Sequence, residues 1–235
     1  MADGRVVTLL RRMEARALLI LFGAAGAIWA FLAIGDEMGE GGTLATDKKI
    51  LLAFRTPGHP SDPIGPRSFE EAMRDVTALG GTTVLTLVTV VATIAFLLHR
   101  KLRHAAVLVG TVLISEIASE QLKGLYGRPR PDLVPHGSYV YSASFPSGHS
   151  MLSATVYLTL AALISNLERT PSTRALVFAT AITLMIAIGV SRIYLGVHWP
   201  SDVLAGWCAG SAVALIAWSV LRRVAKTRDG VVKSS

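Results

Sequence analysis

The sequence predicts an all-α integral membrane protein, a six-helix bundle with its polar chemistry gathered at one end. Two observations carry that expectation. Of the 235 residues 51% are hydrophobic and mean hydropathy is +0.51. The apolar residues are also gathered into long blocks, not spread at an alternating or simple amphipathic period. Six such blocks each come near the roughly 20 apolar residues that carry a helix across a hydrocarbon core. They occupy residues 15–35, 79–98, 104–122, 145–164, 175–194 and 203–221. About half the chain is used this way, so one membrane domain over residues 1–235 is expected, with no second globular unit.

The first block follows Arg11, Arg12 and Arg16, as a secretory signal would. Its apolar core is longer than a signal's, and no small-x-small cleavage site follows, so a retained span is expected. After it comes a long connection, residues 36–78. Pro57, Pro60, Pro63 and Pro66 recur there every third residue, which forbids a helix and favours turns or an extended run. On either side, residues 44–54 and 68–79 carry apolar and charged side chains at helical spacing, as helices lying along a membrane interface do. A lid or packing element is the expected role of this connection, with lipid selection as the alternative. The remaining five blocks make a catalytic core over residues 79–221, followed by a polar tail, residues 222–235, expected to be disordered.

Basic residues set the orientation. With the N-terminus in the cytoplasm, the inner segments hold Arg5, Arg11, Arg12, Arg16, Arg100, Lys101, Arg103, Arg169, Arg174, Arg222, Arg223, Lys226, Arg228 and Lys233, which is 14 of the 23 Lys and Arg. This obeys the positive-inside rule with both termini cytoplasmic, as expected of a multi-pass protein of the cell inner membrane. The net charge of +7 then serves topology and lipid headgroups. No soluble basic domain is left to bind nucleic acid. Cys208 stands alone inside the last block, so no intramolecular disulfide is possible.

Three short stretches hold the reactive side chains: KGLYGRPRP from Lys123, PSGH from Pro146, and SRIYLGVHWPSD from Ser191. Two spans separate the loop bearing the first two from the loop bearing the third, so all three emerge on the same side, outside the cytoplasm. Lys123, Arg130 and Arg192 are the multidentate cations a phosphate demands, because its charge spreads over three oxygens. Pro146, Ser147, Gly148 and His149 open the fourth span. Proline suits a first helical turn, glycine allows close approach, and the free N–H groups face an anion, with the Ser147 hydroxyl as a further donor. His198 and Asp202 are four apart. On one helical turn the carboxylate accepts an imidazole N–H and leaves the other nitrogen unprotonated, as a nucleophile or base requires. His149, from another span, is free to protonate a leaving oxygen.

Lys123-x6-Arg130-Pro131, Pro146-Ser147-Gly148-His149 and Ser191-Arg192-x5-His198-x3-Asp202 together resemble the three-part signature of the type 2 phosphatidic acid phosphatase superfamily, which shares its helical core with vanadium haloperoxidases. The resemblance implies a bacterial membrane lipid phosphatase working without metal or other cofactor on a lipid phosphomonoester or diphosphate in the bilayer. Undecaprenyl diphosphate, phosphatidylglycerophosphate, phosphatidate and lipid A phosphate are the implied substrates, and no obligate protein partner is implied. By position, His198 forms a phosphohistidine, Asp202 orients it and His149 is the general acid. Lys123, Arg130, Ser147, Gly148 and Arg192 bind the phosphoryl oxygens. Arg128, in the variable part of the first motif, is read either as a secondary phosphate or headgroup contact or as an interfacial charge.

Other polar residues rank lower. His99 and His104 lie on the cytoplasmic side, and His59 and His136 have no partner at a telling spacing. Glu116 and Glu120 share a helical face with Lys123 and are expected to face the bundle interior, Glu120 bracing a cation. Three competing readings stand beside lipid hydrolysis: phosphotransfer to a second lipid, His149, His198 and Asp202 as metal ligands, and a phospholipid or phosphate binder without catalysis. The cationic set opposes the metal reading, since three positive groups would repel a dication. A binder has no use for two histidines and an oriented carboxylate.

Overall fold

The computed structural model describes residues 2–137 and 142–232. In chain order it comprises α1 (Ala2–Gly39), α2 (Leu44–Ala53), β1 (Arg55–Thr56), β2 (His59–Pro63), α3 (Arg67–Ala78), α4 (Thr82–Leu98), α5 (Leu102–Tyr126), α6 (Gly148–Leu167), α7 (Pro171–Tyr194) and α8 (Pro200–Val232). The fold is an all-α membrane bundle, with a short antiparallel hairpin β1–β2 as the one departure among the described residues. That hairpin occupies the proline-spaced stretch, where Pro60 and Pro63 are tolerated because a two-stranded sheet has only edge strands.

Five of the six expected spans are helices long and apolar enough to cross a membrane: Ala17–Gly39, Leu102–Tyr126, Gly148–Leu167, Pro171–Tyr194 and Pro200–Arg222. The other, α4, has 17 residues and meets α3 at a 47° bend, so a sixth crossing arises only if that bent pair is one span. The protein is a multi-pass membrane protein. α8 continues to Val232 through most of the tail expected to be disordered, and the basic side chains expected near the two chain ends lie largely outside the described residues.

α6 is the axis of the bundle, flanked by α5, α7 and α8, with α4 against α5 and α1 against α8. Its buried residues are mostly small or hydroxyl-bearing, Ser150, Ser153, Ala154, Thr155, Thr159, Ala161, Ala162 and Ser165, with Met151, Leu152, Val156 and Leu163 among them. In lipid there is little hydrophobic drive between helices, so close packing of small residues and hydrogen bonds must hold them together. Gly206 and Gly210 supply the closest approach. A Cβ on Gly206 would lie 2.8 Å from the Ser147 carbonyl oxygen, and one on Gly210 would lie 2.3 Å from that of Met151. The Ser115 and Thr155 hydroxyls join α5 to α6 at 2.8 Å. This α6–α8 seam sets where the second and third motifs stand relative to each other.

The 36–78 connection packs over the end of the bundle at which α5 and α7 finish. Arg55, buried, donates to the Tyr194 carbonyl at the C-terminus of α7 (2.9 Å), and the Tyr194 hydroxyl donates back to the Ile64 carbonyl (2.9 Å). These bonds satisfy a helix end that would otherwise leave carbonyls unpaired. Gly196 follows in the left-handed conformation, φ +73°, and a side chain there would collide with Val134 and Arg55. The connection is thus a packing element, and it grips the turn that leads into the third motif.

Candidate active site

A cavity of about 280 Å³ opens at this end of the bundle, and Lys123, Arg130, Gly148, His149, Arg192 and His198 all line it. A larger cavity, about 720 Å³, lies at the opposite end between Leu19, Ser165, Arg174, Phe178, Trp218 and Arg222. Among the described residues no histidine or carboxylate lines it. The reactive groups therefore belong to the smaller one.

Each helix end delivers one part. Lys123 is in the last turn of α5, which stops at Gly127 in the left-handed conformation (φ +56°), the usual glycine termination. Arg130 comes from the following loop, and its guanidinium makes several hydrogen bonds. It donates from Nε to the Ser142 carbonyl (2.8 Å), from Nη1 to the Val197 carbonyl (2.7 Å), and from Nη1 toward His198 Nε2 (3.1 Å). Burial draws its guanidinium below the usual arginine range, with Asp202 opposing.

α6 begins at Gly148 and directs its first N–H groups at the cavity. Pro146 and Ser147 precede the helix; they are not part of its first turn. Ser147, expected as a phosphate donor, is fully buried and serves as the N-cap, accepting from the Ser150 N–H (3.5 Å) and hydroxyl (3.0 Å). That leaves the Gly148 and His149 N–H groups, which have no intrahelical acceptor, at the positive end of the helix. The space beside Gly148 is tight: a Cβ would sit 3.2 Å from Lys123 Nζ and 3.5 Å from the Ser119 hydroxyl.

His198 and Asp202 meet, though not on a helical turn. His198 lies in the bend before α8, and Asp202 is the third residue of that helix. Asp202 Oδ2 accepts the Trp199 N–H at 2.9 Å, the reach-back of a capping box, and also the Ser144 hydroxyl. His198 Nδ1 stands 3.4 Å from both Asp202 Oδ2 and Ser144 Oγ. With Arg130 donating to Nε2, the ring hydrogen belongs on Nδ1, which faces these two acceptors. Burial pushes the His198 pKa down to about 4. Asp202 pulls the other way, and Arg192 and Arg130 reinforce the fall. The ring is neutral at pH 7, with its Nε2 lone pair toward the cavity.

Arg192 is 2% exposed and donates to the Thr77 hydroxyl of α3 at 3.0 Å, while its Nε has no acceptor among the described residues. The buried Ser119 hydroxyl, also in the cavity wall, is likewise unpaired there. Buried donors without acceptors are costly unless something supplies the acceptor, and a phosphate would. Ser119 and Thr77 had no sequence signal. Among the described residues no three His, Cys, Asp or Glu side chains converge as metal ligands.

Two expectations are corrected. Glu120 pairs with Lys123 at 2.8 Å but is 61% exposed, so it stands at the cavity mouth and not in the bundle interior. Arg128 is neither a headgroup contact nor an interfacial charge. It is buried, and it donates to Asp202 Oδ1 at 2.5 Å and to Asp47 Oδ2 of α2 at 2.8 Å. Its charge is consumed by two carboxylates behind His198.

Comparison with known proteins agrees with this architecture. The family model of the PAP2 superfamily matches residues 103–226. Phosphatidylglycerophosphatase B of Bacillus subtilis is 34% identical over 143 residues, covering 60% of this chain and 69% of that protein. Lipid A 1-phosphatase of Rhizobium etli is 33% identical over 127 residues, half of each chain. The crystal structure of a transmembrane PAP2-type phosphatidylglycerolphosphate phosphatase from Bacillus subtilis superposes with a TM-score of 0.79 at 25% identity, over 86% of this chain and 98% of that one. With these matches added to the cavity's cations and its two histidines, the chain belongs to the PAP2 superfamily, as a membrane lipid phosphatase.

Proposed function

We propose that this lipid phosphatase works through a phosphohistidine on His198. The observation that carries the reading is the state of that ring: neutral, its Nδ1 side toward Asp202 and Nε2 turned into a cavity walled by three cations and a second histidine. Arg130 leaves Nε2 for a phosphoryl oxygen as substrate enters. Lys123, Arg192 and the Gly148 and His149 N–H groups take the other oxygens and neutralise charge that grows during transfer. The Nε2 lone pair forms the N–P bond while the bond to the lipid oxygen breaks, and His149 protonates that oxygen. Asp202 balances the positive charge on the ring. In the second half a water attacks phosphorus, its proton passes to His149, the N–P bond breaks, and inorganic phosphate leaves. Ser147 acts through the helix end it caps, and a single domain carries the whole reaction.

The substrate is a lipid phosphomonoester or diphosphate whose tail stays in the bilayer. The relatives named above point to phosphatidylglycerophosphate and lipid A phosphate; phosphatidate and undecaprenyl diphosphate share the same headgroup chemistry. The basic residues in the loops away from the cavity support cytoplasmic termini and a catalytic end facing outward from the inner membrane. A phosphate-release panel over these four lipids, run with purified protein in detergent, tests the reading. Release from at least one lipid, undiminished in EDTA and abolished in His198→Ala, is the expected result. Loss in EDTA that zinc restores would overturn the metal-free mechanism, and transfer of phosphate to a second lipid would replace hydrolysis with phosphotransfer.

A further inference from the structure

Behind His198 lies a buried charge chain that the reaction as described does not use. Asp47, in α2 of the 36–78 connection, is 2% exposed, although it sits in a segment that otherwise covers the surface of the bundle. Its Oδ2 accepts Arg128 Nη2 (2.8 Å) and the Ser201 hydroxyl (2.6 Å), and its Oδ1 accepts the Ser201 N–H (2.9 Å) near the start of α8. Arg128 in turn donates through Nη1 to Asp202 Oδ1 (2.5 Å) and to the Ser201 hydroxyl (2.7 Å), with its guanidinium 5.5 Å from the centre of the Trp199 ring.

The division of labour on Asp202 matters. Oδ1 is held by Arg128, and Oδ2 faces the Trp199 N–H, the Ser144 hydroxyl and His198 Nδ1. A carboxylate gripped at one oxygen cannot rotate away from its other partners. Arg128 can hold that oxygen only if its own fork is anchored. Asp47 is the anchor, and it offsets the charge that would otherwise cancel Asp202. Without Asp47, Arg128 retains among the described residues the hydroxyls of Thr43 and Ser201 and the face of Trp199, besides Asp202 itself. A lone buried cation would then draw the carboxylate toward itself and away from the imidazole.

We propose that Asp47 and Arg128 are positioning residues for the phosphohistidine reaction, so that the 36–78 connection is part of the catalytic apparatus and not merely its cover. The proposal rests on His198 acting as the nucleophile. Asp47→Asn is nearly isosteric and removes the anchoring charge. Arg128→Lys keeps the charge but loses the fork. Ser201→Ala removes the hydroxyl shared by both and is a milder change.

The test is steady-state phosphate release from short-chain phosphatidylglycerophosphate by the full chain in detergent, with the folded fraction measured by size exclusion. For Asp47→Asn we expect kcat to fall at least 30-fold with KM within threefold. Asp47→Glu should recover part of that loss, and Ser201→Ala should lose about fivefold. Adding Asp47→Asn to Arg128→Lys should change kcat less than twofold, because the chain is already broken. Asp62→Asn, exposed on the same connection, is the control expected to leave kcat unchanged. If Asp47→Asn keeps kcat within threefold, or loses activity only in step with folded protein, the proposal is overturned. It is also overturned if the two substitutions multiply. Should Asp47→Asn not fold, the Ser201→Ala result decides by the same kcat criterion. His198→Ala separates the two levels: if it retains turnover, the nucleophile reading itself has failed, whereas an inactive His198→Ala beside an active Asp47→Asn sinks only the positioning role.

Discussion

Arg130 Nη1 stands 3.1 Å from His198 Nε2, so the cation placed to grip a phosphate rests on the nitrogen placed to attack it. Burial keeps the ring neutral, with Arg130 adding to the effect, and the contact holds Nε2 toward the cavity; in the proposed reaction the approach of an anion releases both groups together. Arg130→Lys retains the charge but cannot hold the Ser142 and Val197 carbonyls as well. A fall in kcat/KM of about 100- to 1,000-fold is expected, the cost of one preorganised donor. Phosphate-release kinetics in detergent check it.

Gly148 marks the floor of the phosphate cradle. A methyl there would stand 3.2 Å from Lys123 Nζ and occupy the approach to the first N–H groups of α6. Gly148→Ala is expected to lower kcat/KM about tenfold or more, while thermal unfolding moves little because the nearest atom is the end of the flexible Lys123 side chain, which can shift. Equal losses in both measurements would show that the cradle is not where phosphate sits.

The neutral state of His198 has a pH signature. Its folded pKa is about 4, against about 6.5 for an unperturbed imidazole. Above pH 6.5 the ring is uncharged in both states and adds no pH dependence. As pH falls from 6.5 toward 4, the unfolded chain takes up a proton that the native site refuses, so stability drops, by about 3 kcal/mol at full extent. The native protein should therefore lose more unfolding temperature between pH 7.5 and 5 than His198→Asn does. An imidazole titration followed by NMR should place the midpoint near 4.

The seam between α6 and α8 is expected to be intolerant of added volume. Gly206→Ala brings a methyl within 2.8 Å of the Ser147 carbonyl oxygen and 2.9 Å of Ser150 Cβ. Overpacking of this kind costs about 1–3 kcal/mol. Because the same displacement moves the start of α6 away from Asp202, whose carbonyl accepts the Ser147 N–H at 3.0 Å, kcat should fall as well. Thermal unfolding and turnover measured on one preparation test both effects.

Five of the six spans and the three motifs were legible in the sequence because both are local: a run of apolar residues declares a helix, and a cation or histidine at a helix end declares itself by type. The pairing of His198 with Asp202 was also legible, though its geometry is a helix-capping reach instead of a shared helical face. The supporting contacts were not. Asp47 and Ser201 are 154 residues apart and Arg192 and Thr77 are 115 apart, and one carboxylate or hydroxyl in a connection has no periodicity to betray its partner. Arg128 was misread for the same reason: adjacency to a phosphate-binding motif is visible in sequence, whereas enclosure by two carboxylates is not. Likewise, the spacing of Gly206 and Gly210 acquired meaning only once α6 lay against them.

In the proposed reaction phosphorus becomes bonded to His198. Acid-sparing, alkaline quench of the enzyme during turnover of a lipid labelled in its phosphate, followed by peptide mapping, measures this directly. Label is expected on the peptide containing His198 and none in His198→Ala. Label on another residue, or rapid turnover by His198→Ala, would contradict it.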